Sequence, residues 1–498
     1  MLTWSYDGTA RLWDVTKPQP FQTFKHDGSV YGAQFSRDES RVLTWSSDST
    51  ARLWDVTKPQ PLQTFRHDRF VKGAQFSRDE SRVLTWSEDS TARLWNVTEP
   101  EPLRTFKHHL RVNGAQFNRD ESRVLTWSDD KTAQLWDITE HEPLRTFNHY
   151  GDVVGAQFSR DELHVLTWGD DRRDESGSAQ VWDVTKPEPA RTFKHHLRVN
   201  GAQFSRDESH VLTWSSDKTA RLWHVTKPKQ LQVFQHDGGV FDAQFSRDET
   251  RLITRSYNTT RLWNVMQPSP LLTFKQDNWV VGAKFSRDES RVLTWSSDNN
   301  NAWAARLWDV TKPEPLQTFK HDSQVRGAEL SPDESRVLTW SYDKTARLWD
   351  VTKPTPLQIF KHNGPVFVAQ FSRDRSRVLT WSSDNTVRFW DVTNPEPLRA
   401  FKYNGAGSYA QFSRDQSRVL TWSYGTTARL WDVTKPEPVQ TFKHDGDVRG
   451  AQFSRDESRV LTWSDDNTAR LWDVTAPEPL QTFKHNGDVG GAQFCRNL

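Results

Sequence analysis

Residues 26–66 read HDGSVYGAQFSRDESRVLTWSSDSTARLWDVTKPQPLQTFR, and close variants of this stretch recur along the whole chain of 498 residues. The most regular element of the repeat is a Trp, usually followed by Asp. This Trp occurs at positions 13, 54, 95, 136, 182, 223, 263, 308, 349, 390, 431 and 472. The spacing of 40 to 46 residues divides the protein into twelve copies of one unit.

Four short apolar or β-rich runs stand out inside each unit. In residues 26–66 they are Val30–Phe35, Arg41–Trp45, Thr50–Val56 and Leu62–Phe65. Each run is too short for a helix, and the segments between them are rich in Ser, Asp and Pro, which favour turns. The unit is therefore predicted to be a four-stranded antiparallel sheet. A period of about 40 to 45 residues with a Trp-Asp signature is typical of a propeller blade.

The unit resembles the WD40 repeat, and the resemblance covers essentially the whole chain. It is carried by His26, Thr44, Asp48 and Trp54 together with Asp55 and the turn around Asp38. In that family the first four positions form a hydrogen-bonded tetrad, which the resemblance implies here as a structural feature. Two departures are visible: the first turn usually reads Arg-Asp-Glu instead of Pro-Asp-Gly, and a Trp follows the Thr where the family has Gly.

The phase of the repeats predicts how the array closes. The chain opens at Leu2–Trp4, a second strand, and ends at Gly491–Phe494, a first strand, so pairing the two would hide both sheet edges. Twelve units exceed the usual four to eight blades. We therefore predict an all-β fold of two tandem propellers, residues 1–247 and 248–498, with the seam between about 247 and 290. Six blades each is favoured; a seam near 288 would give seven and five.

Composition places the protein in a broad class. Lys and Arg number 66 against 65 Asp and Glu, a net charge of +1, which gives no bulk attraction to nucleic acid or to a membrane. The single cysteine, Cys495, suits a reducing compartment. No apolar run is long enough to span a bilayer, and Met1 leads directly into a strand. A cytoplasmic location is expected.

Catalytic and metal-binding signals are not found. His, Asp and a hydroxyl recur in nearly every unit, but a nucleophilic site needs one exposed constellation, so a group repeated around a ring indicates scaffold. The ten His at the tetrad position are about 41 residues apart, which does not favour shared metal ligation. We expect no catalytic residues, no metal and no cofactor.

Functional information is expected at positions that vary between units. Three such positions exist: the residue before the Gly-Ala of the first strand, the residue two places earlier, and the residue before the turn Asp. In WD40 proteins the corresponding positions ring the top of the disc, where partners bind. Candidate partner-binding residues are Tyr31, Phe70, Lys72, Arg111, Asn113, Arg198, Asn200, Phe241, Trp279, Arg326, Tyr342, Phe367 and Arg449. Two insertions, around 172–176 and 299–303, are expected on the same side.

Tyr, Phe, Trp and Arg dominate interface hot spots, so this ring predicts a non-catalytic scaffold that binds a protein or peptide. Neutral variation of a solvated rim is the simpler alternative. The chain could instead be the C-terminal sensor part of a larger signalling NTPase or protease-type protein. A propeller hydrolase is a further alternative, for which no distinct site is present in the sequence.

Overall fold

The computed structural model describes residues 1–14, 17, 19–149, 151–170, 176–186, 188–227, 230–267, 269–275, 279–296, 303–402, 406–435 and 437–495. Every regular element in these ranges is a β-strand, and the strands form twelve four-stranded antiparallel sheets. No helix that could cross a bilayer is present in the same ranges. The two predicted insertions lie almost entirely outside the described residues.

The strands are short, mostly of five to seven residues. Strands β1 to β16 are Leu2–Ser5, Thr9–Trp13, Pro20–Lys25, Val30–Phe35, Arg41–Ser46, Thr50–Asp55, Pro61–Arg66, Val71–Phe76, Arg82–Ser87, Thr91–Asn96, Pro102–Lys107, Val112–Phe117, Arg123–Ser128, Thr132–Asp137, Arg145–Asn148 and Val153–Phe158. Strands β17 to β32 are His164–Asp170, Gly177–Asp183, Pro189–His195, Val199–Phe204, His210–Ser215, Thr219–His224, Gln230–Gln235, Val240–Phe245, Arg251–Ser256, Thr259–Asn264, Pro270–Lys275, Val280–Phe285, Arg291–Ser296, Ala304–Asp309, Pro315–Lys320 and Val325–Leu330. Strands β33 to β48 are Arg336–Ser341, Thr345–Asp350, Pro356–Lys361, Val366–Phe371, Arg377–Ser382, Thr386–Asp391, Pro397–Lys402, Ala406–Phe412, Arg418–Tyr424, Thr427–Asp432, Gln440–Lys443, Val448–Phe453, Arg459–Ser464, Thr468–Asp473, Pro479–Lys484 and Val489–Gln493.

Each sheet is one blade, and the four runs predicted for residues 26–66 are confirmed as β4 to β7. We number the blades along the chain. Blade 1 joins β48 to β1, β2 and β3; blade 2 comprises β4 to β7; and the following groups of four strands form blades 3 to 12.

Blade 1 confirms the predicted closure by the two ends of the chain. Strand β48 pairs antiparallel with β1, with Leu2 opposite Gln493, Thr3 opposite Ala492 and Trp4 opposite Gly491. The edge of β1 is therefore covered by the last strand.

The blades form one ring of twelve, and the prediction of two tandem rings is not confirmed. Each of the twelve apolar clusters lies between two consecutive blades, including one between blades 12 and 1 that contains Met1, Trp13 and Val489. The expected seam is filled in the same way, since Ile253 of blade 7 packs in one cluster with Val292 and Trp308 of blade 8. Every blade therefore buries both faces against its two neighbours along the chain.

A second contact between blades explains why Glu replaces the usual Gly in the first turn. Glu39 and its counterparts have left-handed backbone conformations, with φ 61° at Glu39 and 58° at Glu80, which cost about 1–2 kcal/mol for a residue with a Cβ. The carboxylate of Glu80 accepts a hydrogen bond of 2.5 Å from the backbone N–H of Arg37 in the preceding blade. Eight Glu residues and Gln416 make this contact among the described residues.

The junction between blades 9 and 10 departs from this pattern in both partners. Pro332 has no N–H to donate, and the residue that would accept it is Arg375. The Arg375 guanidinium instead lies 3.0 Å from the Asp333 carboxylate. The junction thus exchanges a backbone hydrogen bond for an ion pair.

The second departure from the family pattern, Trp after the Thr, is explained by a glycine on the neighbouring strand. Trp86 lies across Gly73, its cross-strand partner, so closely that a Cβ at Gly73 would be 2.2 Å from Cζ2 of the indole. Blade 7 changes both partners at once: Asp242 replaces the Gly and Arg255 replaces the Trp, with 4.0 Å between their charged groups. In nine blades the Trp lies across a Gly in this way, whereas in blades 10 and 11 Val368 lies opposite Trp381 and Tyr409 opposite Trp422.

Deletion of residues 489–498 tests the closure. Without β48 the edge of β1 is unpaired and the cluster around Trp13 is exposed, so we expect a lower melting temperature and self-association in size-exclusion chromatography with light scattering. Deletion of residues 496–498 alone is the control and should change neither property. A ten-residue truncation that stays monomeric with an unchanged melting temperature would contradict the closure.

The Gly73–Trp86 contact is tested by a double-mutant cycle. Gly73→Ala should lower the free energy of unfolding by about 1–3 kcal/mol, because the new methyl group overlaps the indole. In a Trp86→Ser background the same change should be neutral or stabilise by up to about 1 kcal/mol, as Ala in place of Gly in a strand. Urea unfolding measures both; equal effects in the two backgrounds would show that the indole does not exclude the side chain.

Candidate binding face

The structure brings His26, Thr44, Asp48 and Trp54 into one buried polar network in blade 2. His26 Nδ1 lies 2.8 Å from Asp48 Oδ2, and His26 Nε2 lies 2.7 Å from Thr44 Oγ1. The Trp54 indole N–H donates to the same Thr44 oxygen at 2.9 Å. Eight blades have this His–Asp contact among the described residues, including blade 1, where His485 meets Asp7.

Two further members of the network were not anticipated from the sequence. Thr50 donates its hydroxyl to Asp48 Oδ1 at 2.7 Å, and Arg52 donates from Nη2 to Asp48 Oδ2 at 3.1 Å. Arg52 also donates to the backbone carbonyl of Lys25, so it ties the third strand to the end of the preceding blade. The recurrence of Thr and Arg two and four residues after the turn Asp was the available signal.

The network determines the charge of its members. Burial alone would raise the pKa of Asp48, but its hydrogen bonds with His26 and Thr50 outweigh burial, so its pKa lies well below the usual range. Burial lowers the pKa of His26, although Asp48 partly opposes this effect. The network is therefore an ionised carboxylate beside a neutral imidazole, with Arg52 as the balancing cation.

The network is repeated and buried, which suits a structural role. His side chains at these positions are inaccessible, and the hydroxyl of Thr44 is already used by Trp54 and His26. Within the described part of the chain, no group of three His, Cys, Asp or Glu side chains is placed to hold a metal ion.

The first strand of each blade, which we call the inner strand, contains a β-bulge that positions the variable residues. In blade 2, Val30 is opposite Ser46 and Gly32 is opposite Trp45, so Tyr31 is left without a partner in the ladder. Val30 and Gly32 are buried while Tyr31 is 47% exposed. A bulge re-aims a side chain away from the sheet, and here it directs the side chain at this position out of the disc. In blade 1 the bulged residue is Gly490, which has no side chain. In blade 11 the bulge falls at Gly407 rather than at Ser408.

The bulge residue meets the residue before the turn Asp, so two of the variable positions form one surface. We call this surface the upper face. Its pairs differ in chemistry from blade to blade: Asn113 Nδ2 donates to Asp129 at 2.6 Å, whereas the Arg326 guanidinium lies 5.3 Å from the ring centre of Tyr342.

The largest aromatic group of the upper face lies across blades 7 and 8. The rings of Phe241 and Tyr257 are perpendicular with centres 4.7 Å apart, and the ring of Trp279 lies 5.7 Å from Phe241 and 5.2 Å from Tyr257. Trp279 is 49% exposed and Tyr257 45% exposed. Three packed aromatic rings are thus held in contact with solvent.

Arginines on the upper face differ in whether the protein itself neutralises them. Arg449 contacts the ring of Tyr424 and pairs with Asp465 at 2.6 Å, and Arg111 pairs with Asp129 at 2.5 Å. Arg326 is exposed and stacks near Tyr342, and it has no ion-pair partner among the described residues.

All thirteen predicted partner-binding residues lie within the described part of the chain, and each is exposed or partly exposed. The exposed group comprises Tyr31, Phe70, Lys72, Arg111, Arg198, Trp279, Arg326 and Arg449. The partly exposed group comprises Asn113, Asn200, Phe241, Tyr342 and Phe367. Since the twelve blades surround one axis, these side chains are distributed around a ring and do not form a single cluster. Exposed Tyr257, part of the aromatic group, was not among them.

The closed ring of four-stranded blades, eight of which have a buried His–Asp–Thr–Trp network among the described residues, defines a β-propeller of WD-type repeats. Seven segments match the family described as "WD domain, G-beta repeat": residues 18–55, 59–96, 100–137, 187–224, 313–350, 354–391 and 436–473. Together they span more than half of the chain, and the protein belongs to the WD40 family.

Among solved structures, the computationally designed Ika8 protein is similar over 65% of this chain and 97% of its own, with 20% sequence identity and a TM-score of 0.36. No curated protein matches the chain.

The buried histidines predict a pH dependence that is clearest at His236, where Asn258 replaces the turn Asp. Burial lowers the pKa of His236 to about 3, against about 6.5 in an unfolded chain. Between these values only the unfolded state binds the proton, so this residue's contribution to stability is complete above about pH 6.5 and is lost as the pH falls.

His236→Gln should make the free energy of unfolding less dependent on pH, by about 1.4 kcal/mol per pH unit between pH 6 and pH 4. Gln occurs naturally at the equivalent position 276. Chemical unfolding of both proteins at several pH values gives the difference between their free energies of unfolding. The contributions of the other titrating groups cancel in this difference. Identical slopes would mean that His236 keeps an ordinary proton affinity in the folded state.

Proposed function

We propose that this protein is a non-catalytic scaffold whose upper face binds another protein or a peptide. WD40 propellers are typically non-catalytic interaction scaffolds, and this chain belongs to that family. The observation that carries the proposal is the exposed aromatic group of Phe241, Tyr257 and Trp279. Aromatic residues and Arg provide most of the binding energy in protein interfaces.

The position of these residues supports recognition rather than packing. Blade stability depends on the buried networks and on the clusters between blades, which do not include the bulge residues at Tyr31 or Phe241. Exposed contiguous apolar surface is costly unless a partner covers it. Because the bulge residue changes in each blade over a constant scaffold, one face can present a specific pattern to one partner.

Absence of catalysis is part of the proposal. The only recurrent His–Asp–hydroxyl groups are buried and fully engaged within the described residues. A hydrolase activity abolished by a single Ser, Cys or His substitution would contradict this part of the proposal. The cytoplasmic location stays a prediction.

Simultaneous replacement of Phe70, Trp279, Arg326 and Phe367 by Ala tests the upper face. We expect the melting temperature to change by only a few degrees, since these side chains are at least partly exposed. Affinity capture from extracts of the source cells, quantified by mass spectrometry against the wild-type protein, should lose its specific partners.

A matched control carries Ala at Thr57, Lys58 and Gln60, which lie in the exposed loop after the third strand of blade 2. This variant should retain the partners captured by the wild-type protein. Retention by the upper-face variant together with loss by the control would move the binding site to the other face.

A further inference from the structure

A cavity of about 540 Å³ opens at the opposite end of the inner strands, across blades 6, 7 and 8. Its volume is in the range of small-molecule sites. We call it the lower pocket. Phe241 and Gln244 belong to the same strand, β24, and three residues of strand correspond to about 10 Å. The lower pocket is therefore distinct from the upper face.

Four cationic side chains line the lower pocket: Arg206, Arg247, Lys284 and Arg287. All four are exposed, and none forms an ion pair with another described residue. Gln203 and Gln244 add two amides, which can donate hydrogen bonds to an anion.

The two carboxylates in the lower pocket are already engaged. Glu249 accepts the backbone N–H of Arg206 at 2.7 Å, and Glu289 accepts the backbone N–H of Arg247 at 2.7 Å. These contacts are the ones that join neighbouring blades elsewhere in the ring. With four cations against two carboxylates, the lining carries a net positive charge.

Lys284 distinguishes this place from the rest of the ring. The equivalent inner-strand residue is Gln in ten blades, for example Gln34 and Gln75, and the other exception is Glu329 in blade 9. Lys284 and Glu329 do not form an ion pair within 4.0 Å. Burial raises the pKa of Glu329, and the charge of Lys284 only partly opposes that shift. The substitution therefore adds a cation that its neighbour does not neutralise by contact.

We propose that the lower pocket binds a small molecule that carries two or more phosphate groups. Guanidinium groups bind phosphate oxygens in bidentate fashion, and Lys supplies a compact point charge. Since the four cations come from three consecutive blades, a chain of phosphates matches their distribution better than one carboxylate. The ligand remains in contact with solvent through the open mouth of the pocket.

Two substitutions test whether the charge of the lower pocket, and not a change in the fold, determines binding. Each restores the Gln that ten blades have at this position. Lys284→Gln removes a cation from the pocket, whereas Glu329→Gln removes the nearby carboxylate. Ten blades already fold with Gln at this position, so both variants should retain the fold, which circular dichroism and melting temperature would verify.

The probe is tripolyphosphate, titrated by isothermal calorimetry into the full-length protein at about 50 mM salt, where charge interactions are weakly screened. We expect saturable binding by the wild-type protein, at least tenfold weaker binding by Lys284→Gln, and equal or tighter binding by Glu329→Gln. Arg247→Gln should weaken binding by at least tenfold as well. Arg78→Gln, the same change in blade 3, should have no effect.

Three further outcomes would overturn the proposal. The first is an unchanged affinity of Lys284→Gln, and the second is an equal loss in Arg78→Gln, which would indicate general surface charge. The third is citrate binding as tightly as tripolyphosphate, which would remove the preference for phosphate. Titration with ATP distinguishes a nucleotide from a free phosphate chain, and tighter binding of either compound supports the corresponding ligand. None of these outcomes depends on whether the upper face binds a protein.

Discussion

One buried hydroxyl in each blade has the largest structural consequences. Thr44 Oγ1 accepts the indole N–H of Trp54 and contacts His26, which in turn meets Asp48. This chain of contacts joins the second and third strands to the loop before the first strand. Leaving such buried polar groups without partners would cost about 1–3 kcal/mol each. In blade 2 the network also holds the loop above it, because the backbone N–H of Asp27 donates to Asp48 at 2.9 Å.

The ring depends on contacts that pass from blade to blade. Trp54 packs on Phe24 of the preceding blade, with ring centres 5.1 Å apart. The carboxylate of Glu80 closes the lower side of the next junction by accepting the N–H of Arg37. Both contacts repeat around the ring, so each blade is stabilised from two sides. The result is a disc with one variable face and a nearly constant opposite face.

Two exceptions to the repeat change both partners of a contact. Asp242 and Arg255 replace a Gly and a Trp together, and Pro332 is accompanied by Arg375. Elsewhere only one partner changes, since Val368 lies opposite Trp381 and Tyr409 lies opposite Trp422. Lys284 and Glu329 replace the common Gln in two neighbouring blades but do not form an ion pair. The paired changes in blades 7, 9 and 10 replace one internal contact by another, whereas Lys284 leaves an exposed cation at the lower pocket.

The sequence by itself determined the all-β class, the twelve blades, the strands within each blade and the pairing of the two chain ends. These follow from local patterns, since turn residues and apolar runs act over a few positions, and from the phase of the repeat.

The tertiary structure decided the features that depend on contacts between neighbouring blades. The blades form one ring because the apolar clusters continue across the expected seam, where Ile253 packs with Trp308. The sequence could not decide this, since the repeat pattern is the same for one ring or two. The contacts of Trp86 with Gly73 and of Glu80 with Arg37 were not predicted because they join different strands or different blades. The lower pocket was missed for the same reason, since its four cations become neighbours only when three blades pack side by side.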